Sequence, residues 1–144
     1  MGLSGTIDGS VYVGLRDVLH RQPAVTTVTY EPDSIVKQFL RARVDPDRIE
    51  PPTGPDAPTL DVEWRFDDGT QYYRIHYADP NTGFNCGWHR DEDHPDLGPV
   101  HFQYEHPGTG DSGRESAQFS KMLPTEVLWT ALDRLFQKRI PRHH

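Results

Sequence analysis

The sequence predicts an α+β fold, in which an antiparallel β-meander has one face covered by an N-terminal and a C-terminal helix. The middle of the chain alternates apolar and polar residues with a period of two, which is typical of strands with one buried face. Turn residues separate these stretches, and an amphipathic helical pattern lies on each side of them. A sheet with one apolar face needs a cover, and the two helices are the candidates.

The chain has 144 residues, of which 34% are hydrophobic, so we expect one domain spanning residues 1–144. Cys86 is the one cysteine, which excludes an internal disulfide and a cysteine-based zinc module. No apolar run reaches membrane-spanning length and no secretory pattern opens the chain, so we expect a cytoplasmic protein that binds no membrane.

The formal net charge of −7 disfavours avid binding to a phosphate backbone. The acidic residues are mostly Asp and the basic residues mostly Arg. This skew indicates GC-rich coding and a mild, halophile-like adaptation to salt, and it carries no information about chemistry.

The N-terminal region predicts a helix followed by strands. Residues 9–22 form an amphipathic helix with Ser10 available as its N-cap. The apolar stripe of this helix consists of Val11, Leu15, Val18 and Leu19. The β-branched residues 24–30 predict a strand, whereas residues 34–44 suit either a helix or a strand, and we favour the strand. Five prolines between residues 45 and 58 predict an extended connector.

The clearest alternation predicts four consecutive strands, near residues 60–66, 71–77, 84–89 and 99–105. Asp68 and Gly69 supply the hairpin turn between the first two strands. The large inward-facing residues include Trp64, Trp88 and Phe102. Residues 107–116 predict a flexible loop, and the final helix should begin near Pro124 and end before Pro141.

The outward face of this meander carries an unusual set of titratable side chains, namely Glu63, Arg65, Arg74, His76, His89, His101 and Glu105. Imidazoles exchange protons near neutral pH and a guanidinium binds phosphate, so the set suits metal-free RNA cleavage. We expect His76 and His101 to be the proton-transfer pair and Arg74 to bind the phosphate. His89 and Glu105 would be supporting or alternative acid-base groups. The alternative is an ordinary solvated sheet face.

The segment from His89 to His101 is dense in imidazoles and carboxylates, which are ligands of divalent metals. His89 and His94 are five residues apart, so the segment completes no recognised zinc or calcium motif. We therefore favour a solvated acidic turn and predict no tightly held structural metal and no cofactor. A stoichiometric zinc ion, if one were found, would have as ligands His89, Asp91 or Asp93, His94 and His101.

Three further features of the sequence resemble functional motifs. The strand phase places Cys86 inside the core, which predicts a buried, inert thiol. The glycine-rich run 108–113 lacks the Lys-Ser/Thr ending of a phosphate loop and predicts a flexible loop. Tyr72 is the one tyrosine of its pair that faces outward, where it could stack a base.

A family resemblance spans about Val62 to Glu105, where the order of predicted strands is matched together with two short segments. These are Tyr73-Arg74-Ile75-His76-Tyr77-Ala78-Asp79 and Asp93-His94-Pro95-Asp96-Leu97-Gly98, closing with His101-Phe102. In them the chain resembles the TumE-type proteins, the toxin partners of a class of prokaryotic toxin–antitoxin pairs. The resemblance implies a small antiparallel domain that acts on RNA and is silenced by a cognate antitoxin. It assigns no catalytic residue.

Two functional hypotheses follow from the sequence. The first is a toxin-like, metal-independent ribonuclease that uses the outward face, which the five histidines between residues 76 and 106 favour. The second is a non-enzymatic domain that binds a partner protein or a small ligand on the same face, which the acidic net charge favours.

Overall fold

The computed structural model describes residues 3–142 and confirms the predicted α+β fold, a seven-stranded antiparallel sheet with helices. His143 and His144 lie outside the described residues. Asp8 caps the N-terminus of helix α1 (Gly9–His20), and its carboxylate accepts the backbone N–H of Ser10 at 2.9 Å. The N-cap is therefore Asp8, where we expected Ser10, because the helix starts one turn ahead of most of its apolar stripe.

All described strands belong to one sheet, and each strand pairs antiparallel with the next along the chain. Strands β1 to β7 comprise Val25–Pro32, Lys37–Val44, Thr59–Asp67, Thr70–Ala78, Asn85–Arg90, Val100–His106 and Asp111–Ser116. The four strands that the alternation predicts are β3 to β6. The strand interpretation of the ambiguous segment is also confirmed, since β2 occupies its second part.

A tight turn between β3 and β4 fixes the register at the centre of the sheet. Asp68 and Gly69 both have positive φ, 48° and 82°, as a two-residue type I′ hairpin turn requires. The turn places Trp64 opposite Tyr73, and their rings stack with centroids 4.3 Å apart. A slip of one residue would exchange the two faces of these strands, so this turn also decides which polar side chains face away from the core.

The helices and one face of the sheet form a continuous apolar core. Trp64, Trp88 and Phe102 are buried in it, as the alternation predicts. From the helices it receives Tyr12, Leu15, Val18, Leu19, Val127, Leu128, Ala131, Leu132 and Leu135. Cys86 is fully buried among these residues, as predicted, and burial raises the pKa of its thiol.

The C-terminal helix continues further than the sequence predicts. Helix α2 (Pro124–Arg134) passes into a π-helical turn and then into a short last turn, α3 (Ile140–Arg142), which contains Pro141. In the wider turn the N–H of Ile140 donates to the carbonyl of Leu135, five residues back. A proline in a regular helix clashes with the carbonyl four residues earlier, and this wider winding directly before Pro141 lets the chain accommodate it.

The segment 107–116, for which we predicted a flexible loop, contains a turn followed by β7. This strand escapes the alternation test because it is an edge strand with exposed polar residues on both faces. Its Gly113 packs so closely under Tyr104 that a Cβ there would lie 2.9 Å from the tyrosine ring.

The proline-rich residues 45–58 contain a short 3₁₀ turn, Pro46–Arg48, and no strand.

Helix α1 is 12 residues long. Within residues 3–142, no helix combines the length and apolar character needed to cross a lipid bilayer.

Candidate functional site

The face of the sheet away from the helices brings most of the predicted site residues together. Arg74 on β4 pairs with His89 on β5, and His89 pairs with His101 on β6, so the three lie side by side across adjacent strands. His76 lies two residues along β4, opposite Gly87. We call Arg74, His76, His89 and His101 the histidine face.

The imidazoles of this face form a continuous row. The ring centroids of His76 and His89 are 5.8 Å apart, and those of His89 and His101 are 5.2 Å apart. His94, from the loop between β5 and β6, packs edge-on against His101 at 4.7 Å. Gly87 lies beside this row, where a Cβ would come within 2.2 Å of the carbonyl oxygen of Ile75 and 3.0 Å of Nδ1 of His76.

The structure corrects the expectation that this face is fully exposed. His101 is 1% exposed and His89 is 9% exposed, while His76 is half-buried. His94 of the β5–β6 loop packs against His101, and Ser116, the neighbour of His101 on β7, donates a hydrogen bond to the carbonyl of Leu97 in the same loop at 2.8 Å. The alternation pattern could not reveal this cover, because it comes from a loop.

Two of the buried imidazoles have a ring nitrogen without a hydrogen-bond partner in the described part of the chain, Nδ1 of His76 and Nε2 of His89. His101 differs, since its Nε2 lies 3.1 Å from Oε1 of Gln103. An unpaired buried polar atom costs stability unless water, an ion or another group outside the chain satisfies it.

Burial and a nearby cation keep these imidazoles unprotonated at neutral pH. Burial lowers the pKa of His76 to about 4, and the positive charge of Arg74 adds to the effect. The same two causes lower the pKa of His89 to about 3, with smaller contributions from the neighbouring histidines. At pH 7 both side chains are therefore proton acceptors.

Arg74 is exposed, and no ion pair or hydrogen bond among the described residues involves its guanidinium. Two other arginines of the same face are paired, Arg65 with Glu63 and Arg41 with Asp61. The contrast identifies Arg74 as the arginine of β3 and β4 that is available to an anion.

A cavity of about 420 Å³ opens beside Arg74. Its lining includes Glu63, Tyr72, Arg74, His89, Asp91, Glu92 and Asp93. Tyr72, which the sequence predicts as an exposed platform, is half-buried there and donates its hydroxyl proton to Glu92 at 2.8 Å. That hydrogen bond raises the pKa of Tyr72.

Glu105 is the predicted site residue that the structure does not bring to the row. It is exposed and lies four residues along β6 from His101, where it pairs with Asn85 and Ser112. Two residues along an extended strand span roughly 6.6 Å, so four residues remove Glu105 from reach of the same small group.

The fold also gathers ligand atoms that the sequence spacing does not connect. One atom each from His89, Asp91 and His101 lie within 4.8 Å of one another. All three are among the residues named above as ligands of a zinc ion, if one were found. No linear motif connects them, because His101 reaches the other two across the β5–β6 pairing.

Sequence reasoning missed two further polar residues of this face, Gln103 and Arg114. They pair across β6 and β7, in the same register row as Gly87. Gln103 was present in the predicted strand but was not singled out, whereas Arg114 was hidden by the prediction of a loop.

Three comparisons with known proteins bear on identity. No curated protein and no solved structure matches the chain. A family model described as "Toxin TumE" matches residues 15–134, which include the second half of α1, all seven strands and α2. This range is most of the chain and far exceeds the segment that carries the sequence resemblance, so the chain belongs to the TumE toxin family.

Proposed function

We propose that this toxin acts on RNA as a ribonuclease through the histidine face. The observation that carries the proposal is the position of Arg74, an exposed guanidinium without a described ion-pair partner, directly across the strand pair from His89 and two residues from His76, the two imidazoles whose pKa burial lowers. An anion binder beside proton acceptors is what cleavage of a phosphodiester by the adjacent 2′-hydroxyl needs.

In the proposed reaction Arg74 holds the phosphate and stabilises the charge that develops on it. His76 accepts the proton of the 2′-hydroxyl, and the 2′-oxygen then attacks phosphorus. The bond from phosphorus to the 5′-oxygen breaks, and this oxygen receives a proton from His101. The products are a 2′,3′-cyclic phosphate and a free 5′-hydroxyl, so no oxidant or further reactant is needed.

His89 lies between His76 and His101 and keeps the two apart on the sheet. We assign it a positioning role, because its ring is nine-tenths buried. His101 would meet RNA only when the β5–β6 loop moves from above it. Glu105 stays outside the set because the register places it with Asn85 and Ser112.

The acidic net charge remains the strongest argument for the second hypothesis, a domain that binds a protein or a small ligand without catalysis. Membership of a toxin family suggests a cognate antitoxin as a partner. We propose that the antitoxin silences the toxin by covering the histidine face, which joins both hypotheses to one surface.

The test is an RNA-cleavage assay on purified toxin in the presence of a chelator, with growth arrest measured in cells. His76→Ala and Arg74→Ala should each reduce cleavage by at least about 100-fold, the usual contribution of a general base or an anion-binding group. His106→Ala is the control, because it removes a histidine of the same sheet that lies at the end of β6, outside the histidine face.

Full cleavage by His76→Ala and Arg74→Ala would refute the proposed roles. If the parent protein turns over no RNA, and the same variants lose the antitoxin, the binding hypothesis holds instead. Products with a 5′-phosphate would also contradict the mechanism, because the proposed reaction leaves the phosphate on the 3′ side.

A further inference from the structure

A second site is built into the buried end of the histidine row. His89 and Asp91 are two residues apart at the end of β5, and His101 lies directly across the strand pair from His89. One potential ligand atom from each lies within 4.8 Å of the others. A single ion placed between three such atoms can contact all of them at ordinary coordination distances of about 2 Å, after small side-chain adjustments.

A second observation concerns the imidazole of His89. The ring of His89 is nine-tenths buried, and its Nε2 has no hydrogen-bond partner among residues 3–142. A buried nitrogen with an unused lone pair or N–H costs stability unless a partner outside the chain satisfies it. A metal ion is such a partner for an unprotonated imidazole.

The donor set defines the class of ion. Two imidazoles and one carboxylate suit borderline divalent transition metals such as Zn²⁺, whereas Mg²⁺ and Ca²⁺ prefer all-oxygen sites. Asp91 is held in place, since its Oδ1 accepts the backbone N–H of Asp93 at 3.1 Å. Hydrogen bonds to a ligating carboxylate are a usual feature of metal sites.

The surroundings provide both charge and access. Asp91 is only half-buried, and together with His89 it lines the 420 Å³ cavity beside Arg74. Glu63, Glu92 and Asp93 also line this cavity, so its carboxylates outnumber its one guanidinium and favour entry of a cation. The ring of His94 lies against His101, close enough to become a fourth ligand after a small movement of its loop.

We propose that His89, Asp91 and His101 form a binding site for one divalent transition-metal ion of the Zn²⁺ type. The ion would bind one imidazole nitrogen of His101. A metal-bound His101 could then no longer deliver a proton to the leaving oxygen. Metal binding would therefore switch the toxin off. This consequence rests on the proposed ribonuclease function, whereas the binding site itself does not.

The test is a titration of the full chain with Zn²⁺ by calorimetry, repeated with Co²⁺ to record the visible absorption of the bound ion. One ion per chain should bind at this site, with Co²⁺ absorption typical of low coordination number. Asp91→Asn and His89→Ala should each weaken its binding by at least about tenfold, because even outer partners of a metal site contribute that much.

Two control variants separate this site from other ligands. His106→Ala and Asp96→Asn remove a histidine and a carboxylate of the same region that lie outside the cluster, and they should bind as the parent does. The terminal histidines are common to all variants, so any ion they bind cancels in the comparison. Thermal unfolding checks that each variant folds. Asp91 is only half-buried and lies outside the apolar core, so Asp91→Asn tests the site without removing a core side chain.

Equal binding by Asp91→Asn, His89→Ala and the parent, or no binding by the parent, would overturn the metal site and leave the ribonuclease proposal standing. Binding accompanied by loss of RNA cleavage would support both the site and the switch. Cleavage that increases when the ion binds would overturn the switch and the metal-free roles of His76 and His101, while the metal site would stand.

Discussion

The two faces of the sheet are packed according to different requirements. On the face under the helices, apolar rings fit against one another, as where Trp64 stacks on Tyr73 and Trp88 contacts Phe102. On the opposite face the structure buries imidazoles, and His76 and His89 each have a ring nitrogen without a described partner. The first arrangement stabilises the fold and the second costs stability. The comparison teaches that stability and candidate function lie on opposite sides of one sheet.

The polar face is itself divided. In its β2–β3 part, Arg41 and Arg65 are neutralised by carboxylates, and Arg41 donates two hydrogen bonds to Asp61 at 2.8 and 2.9 Å. In its β4–β6 part, Arg74 has no such partner among the described residues, and the neighbouring side chains are imidazoles. The candidate site therefore differs from the rest of the polar face in combining an arginine without a described partner with imidazoles that have unpaired ring nitrogens.

The largest effect on stability is expected from the apolar face. Trp64→Ala removes a fully buried indole and should lower the free energy of unfolding by about 3–5 kcal/mol, as large-to-small core substitutions do. Urea denaturation measures this directly. Trp129→Ala is the control, since this tryptophan of α2 is 43% exposed and should cost less than about 1 kcal/mol. Similar losses of unfolding free energy in Trp64→Ala and Trp129→Ala would contradict the claim that the buried apolar face is the main source of stability.

The histidine face should make stability depend on pH. In the unfolded chain an imidazole titrates near its ordinary pKa of 6.5, whereas burial lowers the pKa of His76 to about 4 and that of His89 to about 3. The unfolded chain therefore takes up protons that the native chain excludes, and stability falls as the pH is lowered through this interval.

Between about pH 7 and pH 5 the expected loss for buried His89 is on the order of 2 kcal/mol. Urea unfolding at several pH values in the presence of a chelator measures it. His89→Asn should show a smaller pH dependence than the parent. An unchanged pH dependence in this variant would mean that His89 is not held unprotonated by the fold.

The smallest effect is expected in the paired part of the polar face. The ion pair between Arg41 and Asp61 has side chains 35% and 22% exposed, so solvent screens much of its attraction. A double-mutant cycle with Arg41→Gln and Asp61→Asn should give a coupling energy below about 1 kcal/mol. A coupling of several kcal/mol would show that this half of the face also holds the fold together.

The sequence predicts the apolar face far better than the polar one. The alternation through Trp64, Trp88 and Phe102 is a local, periodic signal, and the structure confirms it. The same phase assigns His89 and His101 to the other face correctly, but it carries no information about the loop that buries them. Burial by a loop is a long-range event, as the hydrogen bond between Ser116 and Leu97 illustrates.

Other differences have equally local causes. The strand β7 was hidden because an edge strand with polar residues on both sides has no periodic pattern. The approach of Asp91 to His101 depends on strand pairing between β5 and β6, so the spacing along the chain does not suggest a metal site. The separation of Glu105 from the row follows from the same pairing.

The central claim is that the β4–β6 part of the polar face is the working surface of the toxin. Arg74 and Arg43 provide a matched pair, because both are exposed on this face of the sheet and neither has an ion-pair partner among residues 3–142. The direct measurement is growth arrest by Arg74→Gln and Arg43→Gln, expressed at equal levels and compared with the parent.

We expect Arg74→Gln to lose growth arrest while its melting temperature stays close to that of the parent, because an exposed substitution changes stability by less than about 0.5 kcal/mol. Arg43→Gln should arrest growth as the parent does. Full arrest by Arg74→Gln, or equal losses in the two variants, would contradict the assignment of the working surface to the histidine face.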